Sequence, residues 1–341
     1  MNDLKSSVIR FCADIGADPL LVQGAGGNVS WKDGATLWVK ASGTWLADAA
    51  TNEIFVPVDQ NNLQQAINAG NFSVKPTLIS PSDLKPSIET LLHALMPHAV
   101  VAHLHAIEIL AYLVRRNCES ELASLLGNDV PWVIVDYFKP GAELAAAIKN
   151  ILDAHGETKI LFLKNHGVVI GGANIDEIRN TLNWVTNRLA LRGDKNLPAS
   201  SPSRQSPDKQ SPIAEYTPVD DKQLHQLAID ERLFARLKTD WALYPDHVVF
   251  LGSRAHLYNS FAELKSALAP ADNLPELIFV RNQGVFVTTS FNKTKAVQLR
   301  CYYDVLTRQP QDVELNPISV DDISDLLTRD DEKHRMRFSK Q

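Results

Sequence analysis

Two apolar stretches of the chain carry histidines at positions that strand geometry would bring together. Residues 100–105 read Val-Val-Ala-His-Leu-His, and residues 161–167 read Leu-Phe-Leu-Lys-Asn-His-Gly. Both are short hydrophobic runs rich in β-branched or aromatic side chains, which predicts buried strands. Side chains alternate between the two faces of a strand, so His103 and His105 should point the same way, about 7 Å apart.

His166, at the end of the second stretch, would add a third imidazole to this pair. Three nitrogen ligands with a fourth position left for water or substrate are typical of catalytic zinc. The alternative is that these are ordinary hydrogen-bonded histidines at the end of a sheet. Two histidines on one face of a strand, with a third before a glycine, favour the metal site.

The remaining hydrophobic pattern predicts one α/β domain over residues 1–193. Apolar positions recur with helical spacing in the segments 3–16, 85–97, 106–115, 142–155 and 175–191. Strand-like runs cover residues 37–40, 132–135 and 160–170. Helices and strands therefore alternate without long structureless gaps.

The predicted helix at 85–97 lies between Pro86 and Pro97 and leads directly into the strand of His103. Glu89 and His93 are four residues apart and share a face separate from the apolar one. Glu89 could therefore reach the metal as a base, with His93 as an orienting or structural partner. The alternative for Glu89 is a favourable charge in the first turn of a helix.

The second part of the chain is separated from the first by residues 194–218, where prolines alternate with serines, which predicts a linker or surface wrap. In the predicted α/β domain 219–341, residues 277–285 align without a gap on residues 160–168. Gln283 takes the place of His166, and no His-x-His follows the linker. We therefore predict a metal-less repeat of part of the first domain, the alternative being coincidence between two strand-turn-helix units.

The end of this second domain is predicted to be a short terminal helix. It opens with a Ser319-to-Asp322 spacing that resembles a capping box.

Residues 24–31, Gly-Ala-Gly-Gly-Asn-Val-Ser-Trp, predict a glycine-rich turn. A dinucleotide-binding fingerprint is excluded because Val29 stands where the third glycine would fall. Either the backbone N–H groups of this turn bind an anion, or the turn is a simple hairpin connection. A pocket for a negative substrate would explain the lysines that flank the motif stretches: Lys32, Lys40, Lys85 and Lys164.

Composition narrows the class of protein further. The chain has 341 residues, 45% of them hydrophobic, which is enough for substantial cores. A net charge of −6 gives no reason to expect a nucleic-acid partner. The three cysteines are far apart, which indicates a reducing compartment and no cysteine metal site. No N-terminal leader pattern or run of about 18 apolar residues is found, so we expect a cytoplasmic protein without a membrane partner.

Five separated motifs together resemble the class II aldolase/adducin family, over about residues 5–190. In chain order they occupy residues 26–30, 40–43, 86–89, 103–105 and 165–167. The first motifs and the long C-terminal extension resemble, more narrowly, the aldolase portion of bifunctional rhamnulose-1-phosphate aldolase/alcohol dehydrogenases. The resemblance implies a class II aldolase-like central sheet flanked by helices, with the metal-less half appended.

The resemblance also implies roles for individual residues. His103, His105 and His166 would bind zinc, or another divalent transition metal, and Glu89 would act as acid and base. Lys40 would lie near the substrate, and a further group would surround a substrate phosphate: Gly27, Asn28, Ser42, Gly43 and Ser87. Two positions depart from the family pattern, because Ala41 replaces a frequent proline and Ile88 a frequent second serine.

The activity implied is zinc-dependent, reversible aldol cleavage of a ketose phosphate or related sugar. The alternatives are a sugar-phosphate epimerase or dehydratase using the same site, or a non-catalytic, adducin-like interaction module. Members of the family are commonly symmetric oligomers with the active site at a subunit boundary. We therefore expect a homo-oligomer, in which the second half takes a place that a neighbouring subunit would otherwise fill.

Overall fold

The computed structural model describes residues 2–190, 211–268 and 274–328. Within these ranges the strands are β1 Asn28–Asp33, β2 Thr36–Lys40, β3 Phe55–Asp59, β4 Val100–Leu104, β5 Trp132–Val135, β6 Ile160–Leu163, β7 Gly167–Gly172, β8 Thr217–Pro218, β9 Leu257–Tyr258, β10 Leu277–Val280 and β11 Gly284–Val287.

The helices of the same ranges are α1 Asn2–Gly16, α2 Gln60–Asn68, α3 Thr90–Leu95, α4 Ile107–Leu113, α5 Cys118–Leu126, α6 Ala142–His155, α7 Ile175–Leu189, α8 Gln226–Ile229, α9 Glu231–Arg236, α10 Pro245–Leu251, α11 Phe261–Leu268, α12 Lys293–Thr307 and α13 Val320–Thr328. Short 3₁₀ turns cover Leu46–Ala50 and Lys222–His225. None of the described helices combines the length and the apolar character that crossing a membrane requires.

The first half of the chain forms a sheet in the order β3-β2-β1-β4-β7-β6-β5. All neighbours in it are antiparallel except β5 and β6. Every residue of β4 is buried, because helices cover the sheet and the strand lies at its centre. Its run of successive apolar residues is the pattern expected of a strand that is buried on both faces.

The neighbours of β4 determine what surrounds the histidines. His103 is paired across the sheet with Asn28 of β1 on one side and with Val169 of β7 on the other. The glycine-rich segment before β1 and the turn before β7 therefore meet at the same end of β4. The sheet register thus brings three separated motifs of the sequence to one place.

The second half repeats part of this sheet. Its strands are ordered β8-β11-β10-β9, which matches the order β4-β7-β6-β5 of the first sheet, including the parallel pair at the end. The two hairpins have equivalent registers, with Leu163 opposite Gly167 and Val280 opposite Gly284. Asn165 and Asn282 occupy the same turn position with φ of 54° and 57°. The predicted α/β fold with a second half resembling part of the first is confirmed.

The helix predicted over residues 85–97 is wrong at its beginning, since α3 covers only Thr90–Leu95. Residues before Glu89 instead make backbone contacts with the loop that follows β2: the Ser42 N–H donates to the Lys85 carbonyl, and Pro86 forms a β-bridge with Ala41. These tertiary hydrogen bonds replace the first helical turn. Glu89 consequently sits at the N-terminal boundary of α3 instead of inside a helix.

The predicted linker lies largely outside the described residues, which resume at residue 211. Its last part belongs to the second sheet: Ile213 and Tyr216 are buried, and β8 pairs with β11. The terminal helix is present as α13, and the Ser319 hydroxyl accepts a hydrogen bond from the Asp322 N–H at 3.2 Å.

The two halves share one of the hydrophobic clusters. Ile107, Leu110 and Val114, from α4 and the residue after it, lie among apolar side chains of the second half such as Leu299 and Tyr302. The Arg115 guanidinium extends the contact, because its Nε donates to the Gln309 side chain at 3.0 Å. The helix that follows the His103 strand is therefore packed from both halves.

This shared core predicts a stability effect for Leu110→Ala. Leu110 is fully buried, so the truncation should lower the free energy of unfolding by about 2–5 kcal/mol. Urea unfolding followed by circular dichroism measures it, with Leu125→Ala, at a 37% exposed position of α5, as the matched control. A Leu110→Ala protein as stable as the control would contradict the shared core.

Candidate metal centre

The three histidines come together at one end of β4. His103 is in β4, His105 follows the strand directly, and His166 lies in the turn between β6 and β7. All three are buried, with exposed fractions of 0%, 7% and 5%. One ring nitrogen of each lies within 4.8 Å of the others, and among the described residues this is the group of side chains suited to hold a metal ion.

The ring orientations direct the Nε2 atoms to a common point. The Nε2 atoms of His103 and His105 are 3.2 Å apart, and the Nε2 of His166 is 3.3 Å from Oε1 of Glu89. The Nδ1 of His103 instead faces the Val168 carbonyl oxygen at 3.2 Å. A nitrogen whose ring partner donates its proton elsewhere retains the lone pair that a metal requires.

The charge state of the rings suits a metal as well. Burial lowers the pKa of His103, and it lowers the pKa of His166 to about 3, although Glu89 beside them acts in the opposite direction. Neutral imidazole is the form that ligates metals. Oε1 of Glu89 and Nδ1 of His166 are buried and have no hydrogen-bond partner. This donor set fits a divalent transition metal, and three imidazoles are a common set for catalytic zinc.

Glu89 lies against the histidines with an exposed fraction of 8%. Its Oε2 is 3.5 Å from Nε2 of His103 and accepts a hydrogen bond from the Asn28 side chain at 2.9 Å. Burial raises the pKa of this carboxyl, whereas the Asn28 hydrogen bond and any proton carried by His103 or His166 lower it, to about 2 overall. Glu89 is therefore ionised at neutral pH.

A buried hydrogen-bond chain holds Asn28 in this orientation. The Asn28 side-chain oxygen contacts Nε2 of His93, and Nδ1 of His93 is 2.7 Å from the Ser30 hydroxyl. Burial lowers the pKa of His93 to about 3, so the ring is neutral, with its proton on Nε2 to donate to Asn28. His93 thus contacts Asn28 and Ser30, two of the residues of β1, and supports Glu89 through Asn28.

The recess in front of the histidines is narrow, with a cavity volume of about 30 Å³. Of the residues predicted from the sequence, Glu89, His105 and His166 line it, and so do the following: Gly27, Asn28, Lys40, Ser42, Gly43 and Ser87. Gly27 has a φ of +64°, and a Cβ there would lie 2.9 Å from the His103 carbonyl oxygen. Only glycine allows the backbone of this loop to approach β4 so closely.

The Lys40 ammonium connects the two loops that form the recess. It donates to the Ala25 carbonyl at 3.2 Å and to the Thr44 carbonyl at 2.6 Å, and the side chain is 2% exposed. The other three lysines do not form the expected positive rim. Lys164 pairs with Asp136 at 2.7 Å, Lys32 donates to the Met96 carbonyl, and Lys85 is exposed.

Two contributions to this site come from the second half of the chain. Asp246 lines the recess and has Oδ2 3.3 Å from Nδ1 of His105. The Asn165 side chain, next to His166, donates to the carbonyl oxygens of Leu243 at 2.9 Å and Asn316 at 2.6 Å. Sequence reasoning missed Asp246 because it lies in no motif and far along the chain from the histidines.

Comparison with known proteins identifies the family. Residues 7–192, more than half of the chain, match the model of the class II aldolase and adducin N-terminal domain. The chain therefore belongs to this family, which confirms the resemblance seen in its motifs.

Individual relatives are more distant. Over 174 residues the chain is 26% identical to an uncharacterized oxidoreductase, YuxG, of Bacillus subtilis (strain 168); the match covers 46% of this chain but only 25% of that protein. An N-terminal class II aldolase domain from Thermoplasma acidophilum is 29% identical with a TM-score of 0.46, covering 54% of this chain and 91% of that one. An L-fuculose 1-phosphate aldolase is 19% identical with a TM-score of 0.40, covering 56% and 84%.

The buried chain behind Glu89 predicts that His93→Leu destabilises the protein. The substitution leaves buried polar atoms of Asn28 and Ser30 without their partner, which should lower the free energy of unfolding by about 1–3 kcal/mol. Urea unfolding in the presence of a chelator measures this without any contribution from bound metal. His155→Leu, at an exposed histidine near the end of α6, is the control and should change stability by less than about 0.5 kcal/mol. Equal stability of the two variants would refute the role assigned to His93.

Proposed function

We propose that this protein catalyses metal-dependent, reversible aldol cleavage of a ketose phosphate or a related sugar. The observation that carries the proposal is the convergence of three buried imidazoles with a buried carboxylate beside a recess of polar groups. His103, His105 and His166 would hold the metal, with zinc as the first expectation. Family membership and the fold support the proposal.

The residues of the site would have two roles: the histidines would hold the metal, and Glu89 would transfer a proton. A divalent metal bound by the imidazoles supplies Lewis-acid polarisation of a substrate carbonyl. In the cleavage direction the ionised Glu89 is suited to take the proton of the hydroxyl group that becomes the aldehyde and, once the carbon–carbon bond has broken, to deliver it to the carbon next to the ketone; condensation runs the same transfers in reverse. Asn28 keeps the carboxylate turned toward the histidines throughout, because it donates to Oε2.

The loops of the recess would bind the rest of the substrate. Backbone N–H groups near Gly27 and Gly43, both with positive φ, and the hydroxyl groups of Ser42 and Ser87 suit a phosphate or several sugar hydroxyls. Lys40 contributes by holding the two loops together. The position of Ile88 in the recess, where a second serine is frequent in the family, favours a weaker phosphate site than a fully polar wall would give.

Three parts of the proposal rest on sequence reasoning alone. That the substrate is a ketose, that the protein is a homo-oligomer and that it is cytoplasmic remain predictions.

The activity is tested by metal analysis combined with a coupled assay on a panel of ketose 1-phosphates. We expect release of dihydroxyacetone phosphate that is lost on chelation and restored by zinc. Isomerised or dehydrated products without carbon–carbon cleavage would replace the aldolase by an epimerase or a dehydratase. A purified protein that binds no divalent metal would favour the interaction module.

Glu89→Gln should lower kcat by a factor of about 10²–10⁴, because the amide cannot accept the proton. The variant should keep its zinc, since the histidines remain. His103→Ala should lose zinc as well as activity. Glu143→Gln, at an exposed position of α6, is the matched control and should be fully active. Normal turnover by Glu89→Gln would remove this residue from the mechanism.

Ser42→Ala should separate substrate binding from chemistry. Loss of one hydrogen bond to a charged phosphate is worth about 1.5–3 kcal/mol, so KM for a phosphorylated ketose should rise by about 10–100-fold while kcat changes little. The same ketose without phosphate should show a smaller change. Steady-state kinetics with the exposed Ser73→Ala as control makes the measurement. An unchanged KM would place the phosphate elsewhere.

A further inference from the structure

We propose that Asp246 is a positioning residue for His105, so that the second half of the chain completes the metal centre. The proposal rests on the proposed function in so far as it requires a metal at the three histidines. Asp246 is 2% exposed, and its Oδ2 lies 3.3 Å from Nδ1 of His105. The opposite ring nitrogen, Nε2, faces His103 at the centre of the cluster.

The contact between Asp246 and His105 bears on which ring nitrogen of His105 carries the proton and which is left for the metal. A carboxylate at this distance from Nδ1 favours, by its charge, a ring proton on that nitrogen, which leaves the lone pair on Nε2 for the metal and makes the imidazole a stronger ligand. The His103 ring is held in the same way, but by the neutral carbonyl of Val168. Asp246 therefore supports His105 as the Val168 carbonyl supports His103, but Asp246 is an acidic residue and comes from the other half of the molecule.

The glycine-rich loop leaves room for the contact. A Cβ built on Gly26 would lie 2.8 Å from Oδ2 of Asp246 and 2.9 Å from Nδ1 of His105. The same Cβ would lie 3.0 Å from the backbone carbonyl oxygen of Gln23, so an alanine methyl group would be crowded from this side as well. Gly26 thus has a role separate from anion binding, because it lets the carboxylate and the imidazole approach each other.

The segment that carries Asp246 is firmly held. His247, the next residue, is fully buried, with its ring centroid 4.3 Å from that of Trp241 and 4.5 Å from that of Tyr302. Its Nδ1 accepts a hydrogen bond from the Leu243 N–H at 3.4 Å, and the Leu243 carbonyl in turn binds the Asn165 side chain. Residues 243–247, which include the start of α10, therefore contact the surroundings of two of the three histidines.

Zinc affinity of the full chain tests the proposal, measured by competition with a chromophoric chelator. Asp246→Ala should bind zinc about 10–100-fold more weakly than the wild type. Asp246→Asn should recover part of this loss, because its amide oxygen still accepts the Nδ1 proton but carries no charge. A residue that served only to fill space would show no such graded recovery.

Two further variants make the test independent of folding defects. Asp240→Asn removes a buried carboxylate from the same segment, where it pairs with Arg236, and should leave zinc affinity unchanged. Gly26→Ala keeps the Asp246 carboxylate but places a methyl group 2.8 Å from its Oδ2 and 2.9 Å from Nδ1 of His105, so it should also weaken zinc binding.

The outcomes distinguish this inference from the proposed function. A wild-type protein whose zinc binding is absent, or is insensitive to His103→Ala, would overturn the metal centre and both proposals with it. Wild-type zinc binding with unchanged affinity in folded Asp246→Ala would overturn the role of Asp246 alone. Equal weakening by Asp240→Asn would likewise overturn it, since the effect would then be one of general stability.

Discussion

The arrangement of the site follows from the burial of an ionised carboxylate among three imidazoles. Removing Glu89 from water costs several kcal/mol unless other groups replace its hydration. Asn28 supplies one hydrogen bond to Oε2, while His103 and His166 lie 3.5 and 3.3 Å from the carboxylate oxygens. The chain through His93 to Ser30 holds this arrangement from behind, and all of it lies next to the sheet.

Close backbone approach makes the cluster possible. A Cβ on Gly167 would lie 2.5 Å from the Leu104 carbonyl oxygen and would also press on the rings of His105 and His103. Gly27 is equally confined on the opposite side, against the His103 carbonyl. The glycines of two motifs thus serve to bring the strands and turns together around the rings, which is a packing role distinct from any contact with substrate.

The second half of the chain, which repeats part of the first sheet, supports the histidine site of the first half. Its sheet has the strand order and hairpin register of the first, yet Gln283 occupies the position of His166. The repeat contributes instead through its connections, since the loop around Leu243 and the start of α10 reach the site, and α4 packs into its core. Although the described residues of the second half form no metal cluster of their own, this half can still determine how the ligands of the other half are oriented.

Elements whose signals are local could be predicted from the amino-acid sequence. The strand Trp132–Val135 and the helix Ala142–His155 have the predicted bounds, and the alternation of His103 and His105 fixed which side of the strand they share. The motif residues that line the recess could also be identified, because family motifs preserve chemistry at fixed spacing. Other features depend on tertiary contacts. The segment before Glu89 is not helical because its backbone binds the Ala41–Ser42 loop. The Lys40 side chain binds carbonyl groups of two loops, and Asp246 reaches His105 from the other half. Each of these depends on contacts between distant parts of the chain, and hydrophobic periodicity contains no information about which distant segments meet.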